Sequence, residues 1–111
     1  PVRPGGPPIL LGASSRYGFA RVAEFCDGWL PIAGVRNMES GLAQLRAAAE
    51  KAGRDYAALE KVLFGTPSRE DAAREALAQG FGELVFWQPP AGRDEVLPRL
   101  DRIAELVGRL R

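Results

Sequence analysis

The chain has 111 residues, of which 46% are hydrophobic and 26% are charged, values typical of a folded domain and not of a disordered or repetitive chain. Its 15 Lys and Arg residues nearly balance 14 Asp and Glu residues, so the net charge of +1 argues against binding to nucleic acid or to an anionic membrane. There is no histidine and only one cysteine, Cys26, which excludes a histidine general base, an intrachain disulfide and a multi-cysteine metal site.

The amino-terminal residues 1–8 hold four prolines and two glycines, a composition that predicts an extended linker. The regular pattern begins at residue 9 and predicts one domain over residues 9–111. No apolar run approaches the length of about 20 residues that a membrane span needs, and the start of the chain does not resemble a signal peptide. The first residue is Pro1 and not Met, so we expect a processed chain or a piece of a longer one, located in the cytoplasm.

Short apolar runs alternate with amphipathic segments along the rest of the chain. The apolar runs predict four strands, at Ile9–Leu11, Trp29–Ile32, Lys61–Phe64 and Leu84–Trp87. Pro31 is expected at the end of the second strand, since a proline cannot donate to a central ladder.

Helical spacing of apolar residues predicts a helix after each strand. The first helix begins at a cap on Ser14 or Ser15 and is weakened by Gly18. The second runs from about Glu39 to Ala52 and is followed by Gly53, which suits a helix end. The third begins at a Ser68 cap, with Asp71 three residues later in a near match to a capping box, and stops at Gly80. The last carries an apolar stripe and tolerates Pro98 in its first turns. The members of this stripe are Val96, Leu97, Leu100, Ile103, Ala104, Val107 and Leu110.

The resulting β-α-β-α-β-α-β-α order predicts a parallel sheet with helical crossovers. Two architectures fit this order. One is an α/β (βα)4 half of a TIM-type (βα)8 barrel, with sequential strands and outer helices, and the other is an open, flavodoxin-like sheet with a strand-order switch. In either case ligands bind beyond the carboxyl ends of the strands, which limits the search to four loops.

The loop after the first strand, Gly12-Ala13-Ser14-Ser15, is the best candidate binding site. A turn of small residues that leads into a helix exposes backbone N–H groups, which suit a phosphate. The same sequence also fits an ordinary strand-to-helix turn with a serine cap.

Other residues have a structural interpretation beside a functional one. Trp29 fits a packed interior better than a cofactor pocket, and Asp27 fits a turn better than a catalytic role. Cys26 is expected to be a small buried side chain. Tyr17 is the candidate phenolic proton donor near the first loop. Trp87 and Gln88 fit either a ligand-facing position or core packing. Arg99, Arg102 and Arg109 fit a solvated helix face and not a binding patch. No carboxylate pair and no ligand cluster indicates a catalytic or metal site, so we predict neither.

Several motifs, in order and at matching spacing, resemble the luciferase-like monooxygenase family. The segments are PPILLGASS, then AEFCDGWLP, then Gly65-Thr66-Pro67 before a helix, AQGFGELVF, and RDEVLPRLDRIAELV. Together they cover residues 7 to about 106 and look most like the subgroup that depends on the deazaflavin coenzyme F-420.

The resemblance implies the carboxyl-terminal half of an eight-unit barrel that binds FMN or coenzyme F-420. The family's loop beside the cofactor phosphate corresponds to Gly12, Ala13, Ser14 and Ser15, where Ala13 replaces a glycine and adds a methyl group. The residues of that family that face the flavin ring lie in the amino-terminal half, so no catalytic residue is carried over.

A half-barrel would leave edge strands and an apolar sheet face uncovered. We therefore expect pairing with a missing amino-terminal half-barrel or with another copy of the chain, and a small-molecule substrate in the parent enzyme. The alternative is a non-catalytic α/β module that dimerises.

Overall fold

The computed structural model describes residues 6–34 and 37–111. Most of the linker predicted over residues 1–8, and part of the loop predicted over residues 33–38, lie outside these described residues. The strands are β1 (Leu10–Leu11), β2 (Gly28–Trp29), β3 (Glu60–Thr66) and β4 (Glu83–Phe86). The helices are α1 (Arg16–Phe25), α2 (Met38–Lys51), α3 (Glu70–Ala78) and α4 (Arg93–Leu110), with a short 3-10 helix at Tyr56–Ala58.

The four strands form one sheet in the order β1-β2-β3-β4, and every neighbouring pair is parallel. A sequential order has no switch point, which rules out the open flavodoxin-like alternative. Right-handed crossovers between sequential parallel strands place the helices on one side of the sheet. The fold is an α/β (βα)4 half-barrel, which is one of the two architectures that the alternating pattern allowed and the one that the family resemblance implied.

The core lies between the sheet and α1, α2 and α3. Trp29 from β2 and Leu63 from β3 point into it, where they meet Phe19 of α1, Leu45 of α2 and Phe81. Trp29 is fully buried, and its ring lies 5.2 Å from that of Phe19 and 6.2 Å from that of Phe81, centroid to centroid. Cys26 is buried and unpaired, as expected.

The second strand is shorter than predicted and begins one residue earlier, at Gly28. A methyl group at position 28 would overlap the Glu60 carbonyl oxygen and lie 2.7 Å from the Glu60 Cβ. Glycine therefore lets β2 and β3 approach at this point. Pro31 lies beyond the strand, and Ile32 returns to the sheet as an isolated bridge to Phe64.

The prediction of Ser68 as the cap of the third helix was wrong. The cap is Arg69, which makes no side-chain hydrogen bond there, and the helix begins at Glu70. Asp71 consequently stands one position too early for a capping box. The negative charges of Glu70 and Asp71 in the first turn instead stabilise this helix end through its dipole.

The other helix ends follow the sequence closely. Ser15 caps α1 by accepting the Gly18 N–H at 3.2 Å, and Gly53 adopts a left-handed conformation, with φ of 72°, after α2. The guanidinium of Arg54 donates to the carbonyl oxygens of Val22, Ala23 and Cys26, which closes the carboxyl end of α1.

Helix α4 is held less firmly than the sequence suggested. Of its apolar side chains only Leu106 is buried, whereas Leu97 and Leu100 are each 45% exposed. The helix is attached to α3 through polar contacts. Arg74 donates to the Arg109 carbonyl oxygen at 2.9 Å, and Glu70 bridges Arg74 at 2.8 Å and Arg109 at 3.5 Å.

Candidate cofactor-binding loop

The Gly12-Ala13-Ser14-Ser15 loop lies at the carboxyl end of β1, between that strand and the first turn of α1. Gly12, Ser14 and Ser15 are exposed, whereas Ala13 is buried within the core cluster. An α-helix leaves its first N–H groups without acceptors inside the helix. The Ser15 hydroxyl takes the Gly18 N–H, and its own hydrogen can still be donated to a ligand.

The methyl group of Ala13 points inward, away from the open side of the loop. It packs against Gly18, because a Cβ built at position 18 would lie 2.7 Å from the Ala13 Cβ. Replacement of the family's glycine therefore does not obstruct the outer side of the loop. It also explains why a glycine stands in the first turn of α1, where its low helix propensity would otherwise be a cost.

Charge at the loop comes from Arg16, the first residue of α1, which sequence reasoning did not single out. Its guanidinium lies 5.0 Å from the centre of the Tyr17 ring and donates to the Tyr17 hydroxyl at 3.1 Å. Both side chains are exposed. A cation next to a helix amino terminus favours an anionic ligand. The feature of the sequence that could have identified Arg16 is its position directly after the small-residue loop.

Trp29 and Asp27 both contact the first βα unit, which the sequence did not reveal. The Trp29 indole Nε1 donates to the Ala13 carbonyl oxygen at 3.0 Å, and this bond is buried. The Asp27 carboxylate accepts the backbone N–H of Ile9 at 2.6 Å, just before β1. The buried Trp29 is not available to a ligand, and this bond occupies one oxygen of the half-buried Asp27 carboxylate. The sequence could have indicated only that Trp29 needs a partner, since a buried indole N–H requires an acceptor.

The loops after the other strands lie at the same edge of the sheet. Thr66 is buried, and its hydroxyl donates to the Leu63 carbonyl oxygen at 3.1 Å, beside a left-handed Gly65. Trp87 is 60% exposed, which leaves it accessible to a ligand, whereas the neighbouring Gln88 buries an amide nitrogen that has no hydrogen-bond partner among the described residues. The loop after β3 carries the exposed Arg69, which lies 3.7 Å from Asp71, whereas residues 87–92 after β4 carry no charged side chain.

Two of the grooves on the described part of the chain lie between helices. One, of about 690 Å³, lies between α1 and α2 and starts at Arg16 and Tyr17; its floor includes Phe19 and Ala48. The other, of about 490 Å³, lies between α2 and α3 and is lined by Asn37 and Arg69 among others. Only the first shares residues with the surroundings of the β1–α1 loop.

The opposite end of the sheet is built for stability. Lys61, at the amino end of β3, donates to the Leu59 carbonyl oxygen at 2.9 Å and lies 4.3 Å from the centre of the Tyr56 ring. Partial burial, together with the nearby Arg46, lowers the pKa of Lys61. Arg46 covers the same ring at 4.6 Å. This cluster lies across the sheet from the loops and has no part in the candidate site.

Comparison with known proteins agrees with this architecture. The model of the luciferase-like monooxygenase family matches residues 1–109, nearly the whole chain. The chain belongs to the luciferase-like monooxygenase family. Among curated proteins none matches it. Members of this family generally use a reduced flavin or coenzyme F-420.

Two further observations concern metal binding and membrane spanning in the described residues. Within residues 6–34 and 37–111, no three His, Cys, Asp or Glu side chains lie close enough together to hold a metal ion. In the same part of the chain, none of the helices combines the length and the apolar character needed to cross a bilayer.

Proposed function

We propose that this chain forms the carboxyl-terminal half of a flavin- or deazaflavin-dependent oxidoreductase, in which the loop of residues 12–15 holds the phosphate-bearing side chain of FMN or coenzyme F-420. The observation that carries the proposal is the inward position of the Ala13 methyl. It leaves an outer loop surface of backbone and serine side chains beside the amino end of α1. That surface suits a phosphate, and Arg16 adds a positive charge.

The residues of this chain would bind and orient the cofactor and would take no part in proton transfer. When bound, FMN or F-420 supplies the hydride chemistry, and the protein supplies position and electrostatics. Ser14 and Ser15 offer hydroxyl groups, and the Arg16 guanidinium offers a charged donor. The absence of histidine from the sequence agrees with a half that contributes binding and not acid–base chemistry.

The phosphate-side loop lies wholly within this chain, whereas a second (βα)4 unit would close the barrel around the rest of the cofactor. Ile32 and Phe64 pair through an isolated bridge and lie on the sheet face opposite the helices, where they are 53% and 40% exposed. Edge strands β1 and β4 are free to pair on their outer sides within the described sheet. We propose that parallel strands from the amino-terminal half-barrel, or from another copy of this chain, continue the sheet at these edges and cover this face.

Comparing ligands with and without phosphate tests the proposal. FMN, riboflavin and coenzyme F-420 are titrated separately into the wild-type chain and followed by flavin or deazaflavin fluorescence. Riboflavin lacks the phosphate, so we expect FMN to bind about tenfold more tightly, equivalent to about 1.4 kcal/mol. Arg16→Glu should abolish this preference. The matched control is Arg21→Glu, which makes the same charge change further along α1 and should leave the preference intact.

Failure of both FMN and F-420 to bind would contradict the proposed function. Equal affinity for FMN and riboflavin would contradict the role of the loop. The non-catalytic assembly module remains the alternative, and it is favoured if the chain associates but binds neither cofactor.

A further inference from the structure

Residues 27–30 bond to the first strand and to the residues on either side of it. The Asp27 N–H donates to the Ile9 carbonyl oxygen at 2.8 Å, and the Asp27 carboxylate accepts the Ile9 N–H. Further along, the Leu30 N–H donates to the Leu11 carbonyl oxygen at 3.1 Å. The Trp29 indole then reaches past the end of the strand to Ala13. Asp27, Leu30 and Trp29 therefore hold, in turn, the residue before β1, the last residue of β1 and the loop that follows.

The indole of Trp29 is itself fixed by the core. Its exposed fraction is 0%, and it contacts the rings of Phe19 and Phe81. A buried N–H without an acceptor is costly, so the donor selects the loop conformation in which the Ala13 carbonyl faces it. The hydrogen bond thus restricts the loop after β1 to one backbone conformation, which the pairing of β1 with β2 alone would not do.

The orientation of one peptide group follows from this bond. In a planar trans peptide the carbonyl of Ala13 and the N–H of Ser14 point in opposite directions. Because the carbonyl is aimed at the buried indole, the peptide presents its other side away from the core. The direction in which the loop leaves β1 and enters α1 is set at this point.

The geometry points to Trp29 as the positioning residue of the phosphate-side loop: its indole N–H orients the Ala13–Ser14 peptide so that the outer surface of residues 12–15 is preformed for an anion. This inference rests on the proposed function for its ligand. Trp29 touches no ligand, and it acts through the loop alone. A preformed loop loses little conformational entropy when the ligand binds, so loss of the Trp29–Ala13 hydrogen bond lowers the affinity for the cofactor.

The variant Trp29→Phe tests the inference, because it keeps a buried aromatic ring and removes the donor. The matched control is Phe81→Leu, which perturbs the packing around Trp29 and leaves the indole N–H in place. We expect Trp29→Phe to weaken FMN or F-420 binding about threefold to tenfold, the effect of one lost hydrogen bond. Phe81→Leu should lower stability and leave the affinity of the folded chain within about twofold.

A second readout needs no cofactor. Backbone amide hydrogen exchange at Ser14, Ser15 and Gly18 should accelerate in Trp29→Phe relative to the rest of α1, and Phe81→Leu should show no such local difference. Unchanged exchange in Trp29→Phe, or equal acceleration in both variants, would overturn the positioning role. If the wild-type chain binds neither cofactor, the proposed function fails, and the exchange comparison still decides the role of Trp29.

Discussion

The Ala13 methyl group fills the space that a side chain at position 18 would need, since a Cβ built on Gly18 would lie 2.7 Å from the Ala13 Cβ. Gly18→Ala would gain up to about 1 kcal/mol from helix propensity. The new Cβ, 2.7 Å from that of Ala13, would cost about 1–3 kcal/mol through overpacking. We expect the variant to be neutral or destabilised, although it substitutes a better helix former.

The double variant Ala13→Gly with Gly18→Ala separates these two effects. It removes the clash, so it should be more stable than Gly18→Ala by about 1–2 kcal/mol in urea unfolding. Gly108→Ala is the control, because a Cβ there has no neighbour within 4 Å and should not destabilise the chain. If the changes in unfolding free energy caused by the two substitutions are additive, positions 13 and 18 are independent.

The close approach of β2 and β3 at Gly28 gives the second prediction. In Gly28→Ala the new methyl would meet the backbone of Glu60, which cannot rotate away as a flexible side chain would. We expect a loss of about 3 kcal/mol or more of unfolding free energy, measured by thermal or urea denaturation. Gly82→Ala, with no atom within 4 Å of its Cβ, should change stability by less than about 0.5 kcal/mol. Similar stability of the two variants would contradict the predicted clash.

The attachment of α4 to α3 should depend on pH through Glu70. A hydrogen bond from Arg74, with further attraction from Arg74 and Arg109, lowers the pKa of the Glu70 carboxyl below its ordinary value of about 4.3. A lowered pKa in the folded state stabilises the fold above the unfolded-state pKa, and this contribution disappears as the pH falls through the folded-state value. The wild-type melting temperature should therefore fall relative to that of Glu70→Gln below about pH 4.

The control for this measurement is Glu105→Gln, on the exposed side of α4. Its melting temperature should follow that of the wild type across the same pH range. If the difference in melting temperature between the wild type and Glu70→Gln stays constant from pH 6 to pH 3, Glu70 does not link the two helices. High salt should reduce the difference, since all three partners are at least 41% exposed.

The uncovered face of the sheet gives the fourth prediction. We expect the isolated wild-type chain to associate in sedimentation velocity, because Ile32 and Phe64 are exposed on a face that a barrel would bury. Phe64→Ser should weaken this association. Phe25→Ser removes an aromatic ring that is 76% exposed on α1, on the helix side, and should leave the association unchanged. A wild-type chain that stays monomeric at high concentration would contradict the need for a second half.

The element order and the fold class were predictable from sequence because the periodicity of apolar residues directly reports which side of an element is buried. The positions of Ser15 and Gly53 at helix ends were predictable for a local reason, since capping depends on adjacent residues. The Ser68 cap failed because the start of α3 shifted by one residue, which a near match to a capping box does not resolve.

Contacts between distant residues were not predictable from one sequence. Nothing in the spacing of Ala13 and Trp29 shows that the indole reaches the loop, and nothing local shows that the Ala13 methyl faces Gly18. The loop of residues 12–15 was found as a candidate because of its small residues. Its outward surface, and the role of Arg16 beside it, required the three-dimensional arrangement.

The most direct test of the proposed cofactor site is a map of backbone amide chemical shifts of the labelled wild-type chain during titration with FMN and, separately, with F-420. The account predicts the largest shift changes at Gly12, Ser14, Ser15 and Arg16, with smaller changes along β3 and α4. No shift changes with either cofactor, or changes centred on the groove between α2 and α3, would contradict it.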